Sequence, residues 1–454
     1  MADTIAAIAT AHGVSAIGIL RISGDRTREI LQSVFSPFSS NPSDAPRKLL
    51  RGLALDTDKT PTDNCMAVFF PAPSSYTGED SAELSCHGSP IVLAELLRAA
   101  IAAGARLAQP GEFTRRAFLN GRLDMAQAEA VIDIIEAETL AAAQNAMAQL
   151  SGALSRRIEK TYAALLDVTS HFHAVIDYPD EDIDDFRAEE YIAVLDAAAA
   201  ELSALLQTCA RGAALRSGIP AAIVGIPNAG KSSLLNALVG FDRAIVTANP
   251  GTTRDTVEEK LRLGTTLLRL IDTAGIRGAL DEAERLGIDR ALAAAFGSSL
   301  LLAVFDASRP ITADDFALIE RLPENIPAVA VMNKCDLGYS AGCDFPSSRF
   351  AATVCVSAKT GDGISALADA VADLTRDKTD AAPGEILTNL RQEQAVRSAL
   401  EATHSCTAAL RARVTPDAVI SELEAALTSL GEVTGHSIRE DTAERIFSRF
   451  CVGK

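Results

Sequence analysis

The sequence predicts a multidomain protein. It has an α+β N-terminal domain, a discontinuous α-helical domain, and an α/β domain with a mainly parallel sheet inserted into the helical one. Three observations predict this. Short apolar runs broken by turn residues fill the first 120 or so positions. Helical periodicity runs from Leu123 to Ile176 and returns after "DAAPGE". Between the helical stretches, strand and helix alternate from near Ile219 to about Leu374, as in a parallel sheet wrapped by helices. Amphipathic helices on both sides of that segment each need an apolar partner, and packing them on one another leaves the α/β domain as an insertion. The expected domains are residues 1–119, 120–216, 217–377 and 378–454, the second and fourth being the two parts of the helical domain.

The elements follow in order. In "AIGILRISG", Ile17 and Ile19 share one face of a strand that ends at Gly24. "NCMAVFFPAP" is a second strand, stopped by Pro71 and Pro73, and "SAELSCHGSP" a third. "IVLAELLRAAIAAGA" has helical spacing, with Gly104 as its C-terminal cap. Val131, Ile134 and Ile135 fall at i, i+3 and i+4, and Leu150, Leu154 and Ile158 recur every fourth residue. Pro179 ends this helical stretch, the acidic "DEDIDD" reads as a solvated loop, and a further helix runs to about Leu206. Near the end, Thr415 and Pro416 suit an N-cap and first helical position, and Gly431 follows the last apolar turn.

Composition narrows the class. With 454 residues, 48% apolar and 22% charged, the chain is globular rather than disordered. A net charge of -18 argues against a surface that grips nucleic acid nonspecifically, so any such partner meets a local basic patch or a second protein. Eight cysteines without CxxC pairing fit a reducing cytosol, hence a cytoplasmic location. "MADTIAAIATAHG" lacks a basic n-region, so no signal peptide is expected. No uninterrupted apolar stretch of about eighteen residues is seen, so no membrane span is expected either.

"GIPNAGKSS", Gly225 to Ser233, satisfies GxxxxGK[ST] between a buried strand and a helix. Asn228, Ala229, Gly230, Lys231, Ser232 and Ser233 would cradle phosphates, Lys231 reaching the β and γ oxygens and Ser232 offering Mg²⁺ an oxygen. Downstream, "NPGTTRDT" offers Thr253 as second Mg²⁺ ligand. "DTAG" (Asp272, Thr273, Ala274, Gly275) follows an apolar strand, so that Asp272 can hold Mg²⁺ through water and the Gly275 N–H can touch the γ-phosphate. In "VMNKCD", after Asn333, Lys334 would lie over a base. Asp336 can accept two parallel hydrogen bonds from guanine, which adenine cannot offer. Ser357, Ala358 and Lys359 would present backbone N–H groups to guanine O6. These are the parts of a Ras-like P-loop GTPase domain that binds GTP. One part is missing: the glutamine that usually follows DxxG is Ile276, which cannot orient water.

With "GILRISG", "YTGEDSAELSCHGSP", "PGEFTRRAFLNGRLDMAQAEA", "DYPDEDID", "GIPNAGKSSLLNAL", "GTTRD", "DTAGIR...ERLGI" and "FCVGK", the chain resembles the MnmE (TrmE) family of tRNA-modification GTPases over essentially its full length. The resemblance implies a homodimer built on the N-terminal domain. It further implies a flavoprotein partner, MnmG, in a heterotetramer or larger complex, and the installation of aminomethyl or carboxymethylaminomethyl groups at carbon 5 of the wobble uridine of certain tRNAs. A tetrahydrofolate derivative (5-formyl or 5,10-methylene), bound by the N-terminal domain, is the implied one-carbon source. It also implies that GTPase domains meet across a potassium ion, with Asn228, Thr247, Asn249 and Thr252 as K⁺ contributors; Thr247 and Thr252 thereby join the nucleotide site. Glu284, in "ERLGI", would hold the water that orients the nucleophile, replacing the missing glutamine and acting beside Lys231 and Gly275 in catalysis. Asp281 and Glu282 are solvated acids.

The resemblance places folate binding on Arg21, Glu83, Arg122 and Lys454. Arg122 stands where some members have lysine, which keeps charge but not geometry. Glu83 can accept paired N–H donors of a pterin, and the cations suit a glutamyl tail; alternatively the arginines are in surface or interface salt bridges. Cys451 takes part in the modification chemistry or is a small apolar residue packed at the chain end. Cys86 and His87 point to opposite faces of a strand and are structural. A different class, a GTP-dependent ribosome-assembly switch, shares the GTPase parts but lacks the N-terminal block.

Overall fold

A computed structural model describes residues 3–177, 188–241, 259–271, 295–338, 345–376, 382–414 and 416–437, and near the end 443, 446–448, 450, 451 and 453. Two compact units emerge. The first comprises residues Met1–Ile132, Gln149–Tyr191 and Ser405–Lys454, and the second Asp133–Ala148 and Ile192–His404.

The first unit is built on a seven-stranded sheet. Its strands are β1 (Ile5–Ile8), β2 (Ser15–Ser23), β3 (Phe35–Pro37), β4 (Leu50–Leu55), β5 (Pro61–Phe70), β6 (Ser81–Gly88) and β7 (Arg106–Leu107), in the order β3-β4-β5-β6-β2-β1-β7. All neighbours are antiparallel except β1 and β7. Leu20 and Ile22 of β2, Ala67 and Phe69 of β5 and Leu84 of β6 are fully buried, in one core with α1 (Thr27–Val34) and α2 (Pro90–Ala102). Ile17 and Ile19 do share a face, but it is the opposite one, and Ile17 is exposed. Three of the seven strands match the runs picked from sequence. The others are short or edge segments without a full alternating pattern, and tertiary pairing fixes them.

In α3 (Glu112–Leu119), Arg116 binds Glu112 one turn earlier at 3.1 Å, Glu79 at 3.1 Å and Asp3 at 2.7 Å; Arg106 binds the same Glu112 at 2.6 Å. The helical stretch from Leu123 divides into α4 (Met125–Ile135), α5 (Leu140–Leu150) and α6 (Ala153–Asp177). Asp124 starts α4 by accepting the Gln127 N–H at 2.8 Å while Gln127 accepts its own N–H at 2.9 Å, a reciprocal cap.

Further α-helices among the described residues are α7 (Ala188–Leu206), α8 (Cys209–Ser217), α9 (Lys231–Phe241), α10 (Ala313–Arg321), α11 (Ile364–Thr375), α12 (Leu390–Arg411) and α13 (Pro416–Thr434). Leu154, Ile158, Leu165, Val168 and Phe172 form the buried stripe of α6, which packs along α13 through Val419, Leu423, Ala426, Leu430 and Val433. Gly431 lies inside α13 rather than after it, because Val433 still has a buried place to fill; the left-handed Gly435 follows the helix instead. Thr415 lies outside the described residues.

The second unit carries a six-stranded sheet, order β13-β12-β11-β8-β10-β9. Its strands are β8 (Ile219–Val224), β9 (Glu259–Leu263), β10 (Thr266–Leu270), β11 (Leu300–Asp306), β12 (Ala328–Asn333) and β13 (Ala352–Cys355). Only β9 runs antiparallel. Every residue of β11 and β12 is buried, as expected of central parallel strands covered on both faces. The run Glu189–Ser217 is, by length and composition alone, apolar enough to cross a membrane. Leu195, Ala198, Ala199, Leu202 and Leu205 are buried, so its inner face belongs to a protein core.

Candidate functional site

Parallel pairing brings the carboxyl ends of β8, β11, β12 and β13 to one edge of the sheet, where ligands of open α/β folds are bound. The loop from Gly225 leaves β8 there and enters α9 at Lys231. Asn228 is left-handed at φ 62°, and Gly230 at φ 94°. A β carbon on Gly230 would collide with the side-chain amide of Asn333, so close approach as well as φ demands glycine. Lys231 Nζ donates to the carbonyls of Gly225 and Ile226, each at 2.9 Å, which holds the ammonium on the loop. Ser232 and Ser233 are exposed in the first turn of α9, and the Asn228 carboxamide is exposed with no hydrogen-bond partner among the described residues.

Asn333, 1% exposed, organises the second half of the site. Its Nδ2 donates to Ala229 O at 3.1 Å, and its Oδ1 accepts the N–H groups of Lys334 at 2.8 Å and Ala358 at 3.0 Å. Lys334, left-handed at φ 64°, sends Nζ to Asn228 O at 2.8 Å and to Asp306 Oδ2 at 2.7 Å. Asp336 is exposed, and its Oδ1 accepts the Ser357 hydroxyl at 2.7 Å. Of the three N–H groups expected to face a guanine O6, two are engaged: Ser357 donates to Asp362 O at 2.9 Å and Ala358 to Asn333. Only that of Lys359 has no partner among the described residues.

Asp306 was not anticipated. Burial works against its ionisation, yet hydrogen bonds from Lys334 and from the Ser308 hydroxyl and N–H outweigh it and hold the carboxyl below its ordinary value. The available signal was a lone carboxylate at the end of the apolar run "LLLAVFD". Thr247, Asn249, Thr252, Thr253, Asp272, Thr273, Ala274, Gly275, Ile276 and Glu284 lie outside the described residues, as does "DEDIDD".

A second site lies in the first unit, a cavity of about 370 Å³ whose lining includes Arg21, Glu83 and Arg122. Arg21 and Glu83 face each other across β2 and β6 and form an ion pair at 2.8 Å. The Arg21 guanidinium lies 5.6 Å from the ring centres of both Tyr76 and Phe113, and its Nη1 donates to Gly453 O at 3.2 Å. The chain end therefore reaches the cavity, although Lys454 itself is outside the described residues. Gly453 is left-handed at φ 101°, and a β carbon there would come within 2.6 Å of Ile8 O. Cys451 is exposed, with its carbonyl accepting the Gly111 N–H at 3.3 Å. It is not packed away as a small apolar residue.

On β6, Cys86 is buried and His87 exposed, on opposite faces as expected. His87 Nδ1 pairs with Asp63 at 2.7 Å. Among the described residues no group of three or more His, Cys, Asp and Glu side chains could hold a metal.

Residues 4–122 match the family described as the GTP-binding protein TrmE N-terminus, and residues 125–451 the MnmE helical domain. The tRNA modification GTPase MnmE of Roseiflexus sp. (strain RS-1) is 42% identical over 463 residues, covering 100% of this chain and 99% of that protein. Its namesake from Chloroflexus aurantiacus is 41% identical and covers 100% of both chains. Domain matches at both ends of the chain and end-to-end relatives above 40% identity agree: the chain belongs to the MnmE (TrmE) family of tRNA modification GTPases.

Proposed function

We propose that the protein is a potassium-stimulated GTP hydrolase. In the cytoplasm, as a homodimer without a membrane span, it would act with the flavoprotein MnmG in a heterotetramer or larger complex. Together they add a carboxymethylaminomethyl or aminomethyl group to carbon 5 of the wobble uridine of certain tRNAs, using a tetrahydrofolate one-carbon unit. The full-length likeness to proteins named for tRNA modification and GTP hydrolysis carries this proposal. The meeting of the phosphate loop with Asn333, Lys334 and Asp336 at one sheet edge supports its GTPase half.

The residues fit their ligands. Lys231 and the loop N–H groups face phosphate; Ser232, exposed at the start of α9, offers Mg²⁺ a hydroxyl, with Thr253 as the second ligand. The exposed carboxamide of Asn228 offers a neutral oxygen suited to K⁺, with Thr247, Asn249 and Thr252 as its companions. Bound K⁺ supplies positive charge where phosphate charge develops. Asp336 accepts from guanine, and Lys334, tethered by Asp306, covers the base. Glu284 orients the attacking water in place of the side chain that Ile276 lacks. The arginine-lined cavity beside Glu83 fits a folate.

GTP turnover in potassium versus sodium buffer at matched ionic strength tests this. Strong potassium stimulation, lost in Asn228→Ala, is expected; Glu284→Ala is expected to keep nucleotide affinity while hydrolysis collapses. Equal rates in both salts would overturn the potassium site and favour a ribosome-assembly switch. Glu83→Ala should lose 5-formyltetrahydrofolate with folding intact, and unchanged affinity would remove Glu83 from the site.

A further inference from the structure

The folate-type cavity is lined by three arginines and one carboxylate, Glu83, among its charged groups. Glu83 is engaged by Arg21 at 2.8 Å, and both are half-buried. The two remaining guanidinium groups, Arg47 and Arg122, are exposed, and neither has a carboxylate partner among the described residues. The Arg47 guanidinium donates to Ser74 O at 3.1 Å. The cavity thus carries a neutral charge pair at its inner wall and two uncompensated cations at its outer one, in a protein whose net charge is -18. Such an arrangement selects a ligand with an uncharged donor-rich head and a dianionic tail.

The backbone at Arg47 supports this. Arg47 is left-handed at φ 61°, a conformation that costs a non-glycine residue roughly 1 kcal/mol and that glycine adopts freely. Its N–H is held by Phe69 O at 2.8 Å, at the end of β5 where the cavity wall begins. That bond fixes the start of a long cation at the rim of the cavity, at a position where glycine would be less strained. Arg122 lies across Gly78, its Cγ 3.3 Å from where a β carbon would stand.

We propose that Arg47 is a specificity-determining residue that reads the tail carboxylates of the ligand jointly with Arg122, so that the site distinguishes glutamylated pterins from the same pterin lacking glutamate. This rests on the folate assignment above. The head is oriented at Glu83; the tail, with its α and side-chain carboxylates, spans the outer cations.

The test uses the full-length protein and two probes, 5-formyltetrahydrofolate and 5-formyltetrahydropteroate, which lacks the glutamyl group. The main variant is Arg47→Gly, which retains the left-handed backbone and so protects the fold. Arg47→Lys keeps the charge without the forked geometry. By calorimetric titration the wild type should prefer the glutamylated probe about tenfold or more, the scale of a charge-assisted contact. Arg47→Gly should shrink that preference several-fold while leaving pteroate affinity unchanged, and Arg47→Lys should fall between. The preference should also weaken with added salt. An unchanged preference in Arg47→Gly, or equal loss of both probes, would overturn the role of Arg47 while leaving the folate site standing. Equal affinity of the wild type for both probes would do the same. Binding of neither probe by the wild type would overturn the folate assignment, and this inference with it.

Discussion

The side-chain amide of Asn333 donates to the carbonyl of Ala229 at 3.1 Å and thereby ties the end of β12 to the phosphate loop after β8. The same side chain accepts from Lys334 and Ala358, so one buried amide fixes three segments that are far apart in sequence. In a GTPase this couples the base side of the pocket to the phosphate side before any nucleotide arrives.

Asn333→Ala should therefore do more than delete a contact with the base. It removes the amide partner of the buried Ala229 carbonyl and of the half-buried Ala358 N–H, at up to about 1–3 kcal/mol for a buried orphaned group. We expect GDP affinity to fall at least tenfold and thermal stability of the unit to drop by several degrees, read by fluorescent-nucleotide titration and melting. Unchanged melting with weakened binding would confine Asn333 to ligand contact and remove its structural role.

Asp306 gives a prediction with a sign. Its folded-state value is depressed, so the stabilisation from its pair with Lys334 is fully present above the ordinary carboxylate value of 3.8 and is lost as pH falls through the lower folded value. Nucleotide affinity that depends on Lys334 should show no titration of Asp306 between pH 8 and 5. Asp306→Asn removes the ion pair, leaves Lys334 held by Asn228 O, and should weaken binding about three- to tenfold across that whole range. A midpoint near pH 6, removed by the same substitution, would mean that burial rather than hydrogen bonding dominates at Asp306.

What was legible in the sequence follows from the range of the interactions. The loop from Gly225 to Ser233, the helix after it and the buried strands are local patterns, and each sits where its pattern placed it. The helical stretch from Leu123 was legible as helix but not as three helices, although its breaks carry local marks: the Thr139 hydroxyl accepts the Ala142 N–H at 3.2 Å before α5, and Gly152 is left-handed at φ 82° before α6. Asp306 and Lys334 are 28 residues apart and Arg47 meets Glu83 only around a shared cavity; no periodicity encodes either. Even so, β2–β6 register makes Arg21 and Glu83 direct neighbours, which is why a resemblance that named both pointed to one place.

The chain end gives a third prediction. Gly453→Val adds a side chain where the backbone is left-handed and Ile8 O is only 2.6 Å from the added β carbon. The end should detach from Arg21 while Phe447 and Phe450 stay in their cluster with Met125 and Val131. Faster carboxypeptidase trimming is expected, with a melting temperature close to wild type because few buried groups are lost. A large fall in melting temperature would show that the last residues are part of the core.

The ion network around Glu112 gives the fourth. Burial opposes ionisation of Glu112, but hydrogen bonds from Arg106, the Gln109 N–H and Arg116 prevail and hold its carboxyl below the ordinary 4.5. For Asp3 the Arg106 hydrogen bond is the leading cause, and its carboxyl also lies below its ordinary value of 3.8. Both folded values being depressed, the stabilisation is complete above the ordinary values and disappears as pH falls through the folded ones. Glu112→Gln keeps the shape but leaves Arg116, whose side chain is 10% exposed, with Asp3 and Glu79 as its remaining carboxylates. Loss of about 2 kcal/mol near neutral pH is expected, below the roughly 3–5 kcal/mol for leaving a buried charge unpaired, because Asp3 and Glu79 still hold Arg116. The variant should also lose less stability than wild type on acidification below pH 4.5, because one of the titrating groups is gone. Chemical denaturation at pH 7 and pH 4 distinguishes these effects: a constant difference between variant and wild type at both would mean that Glu112 acts through packing, not through its charge.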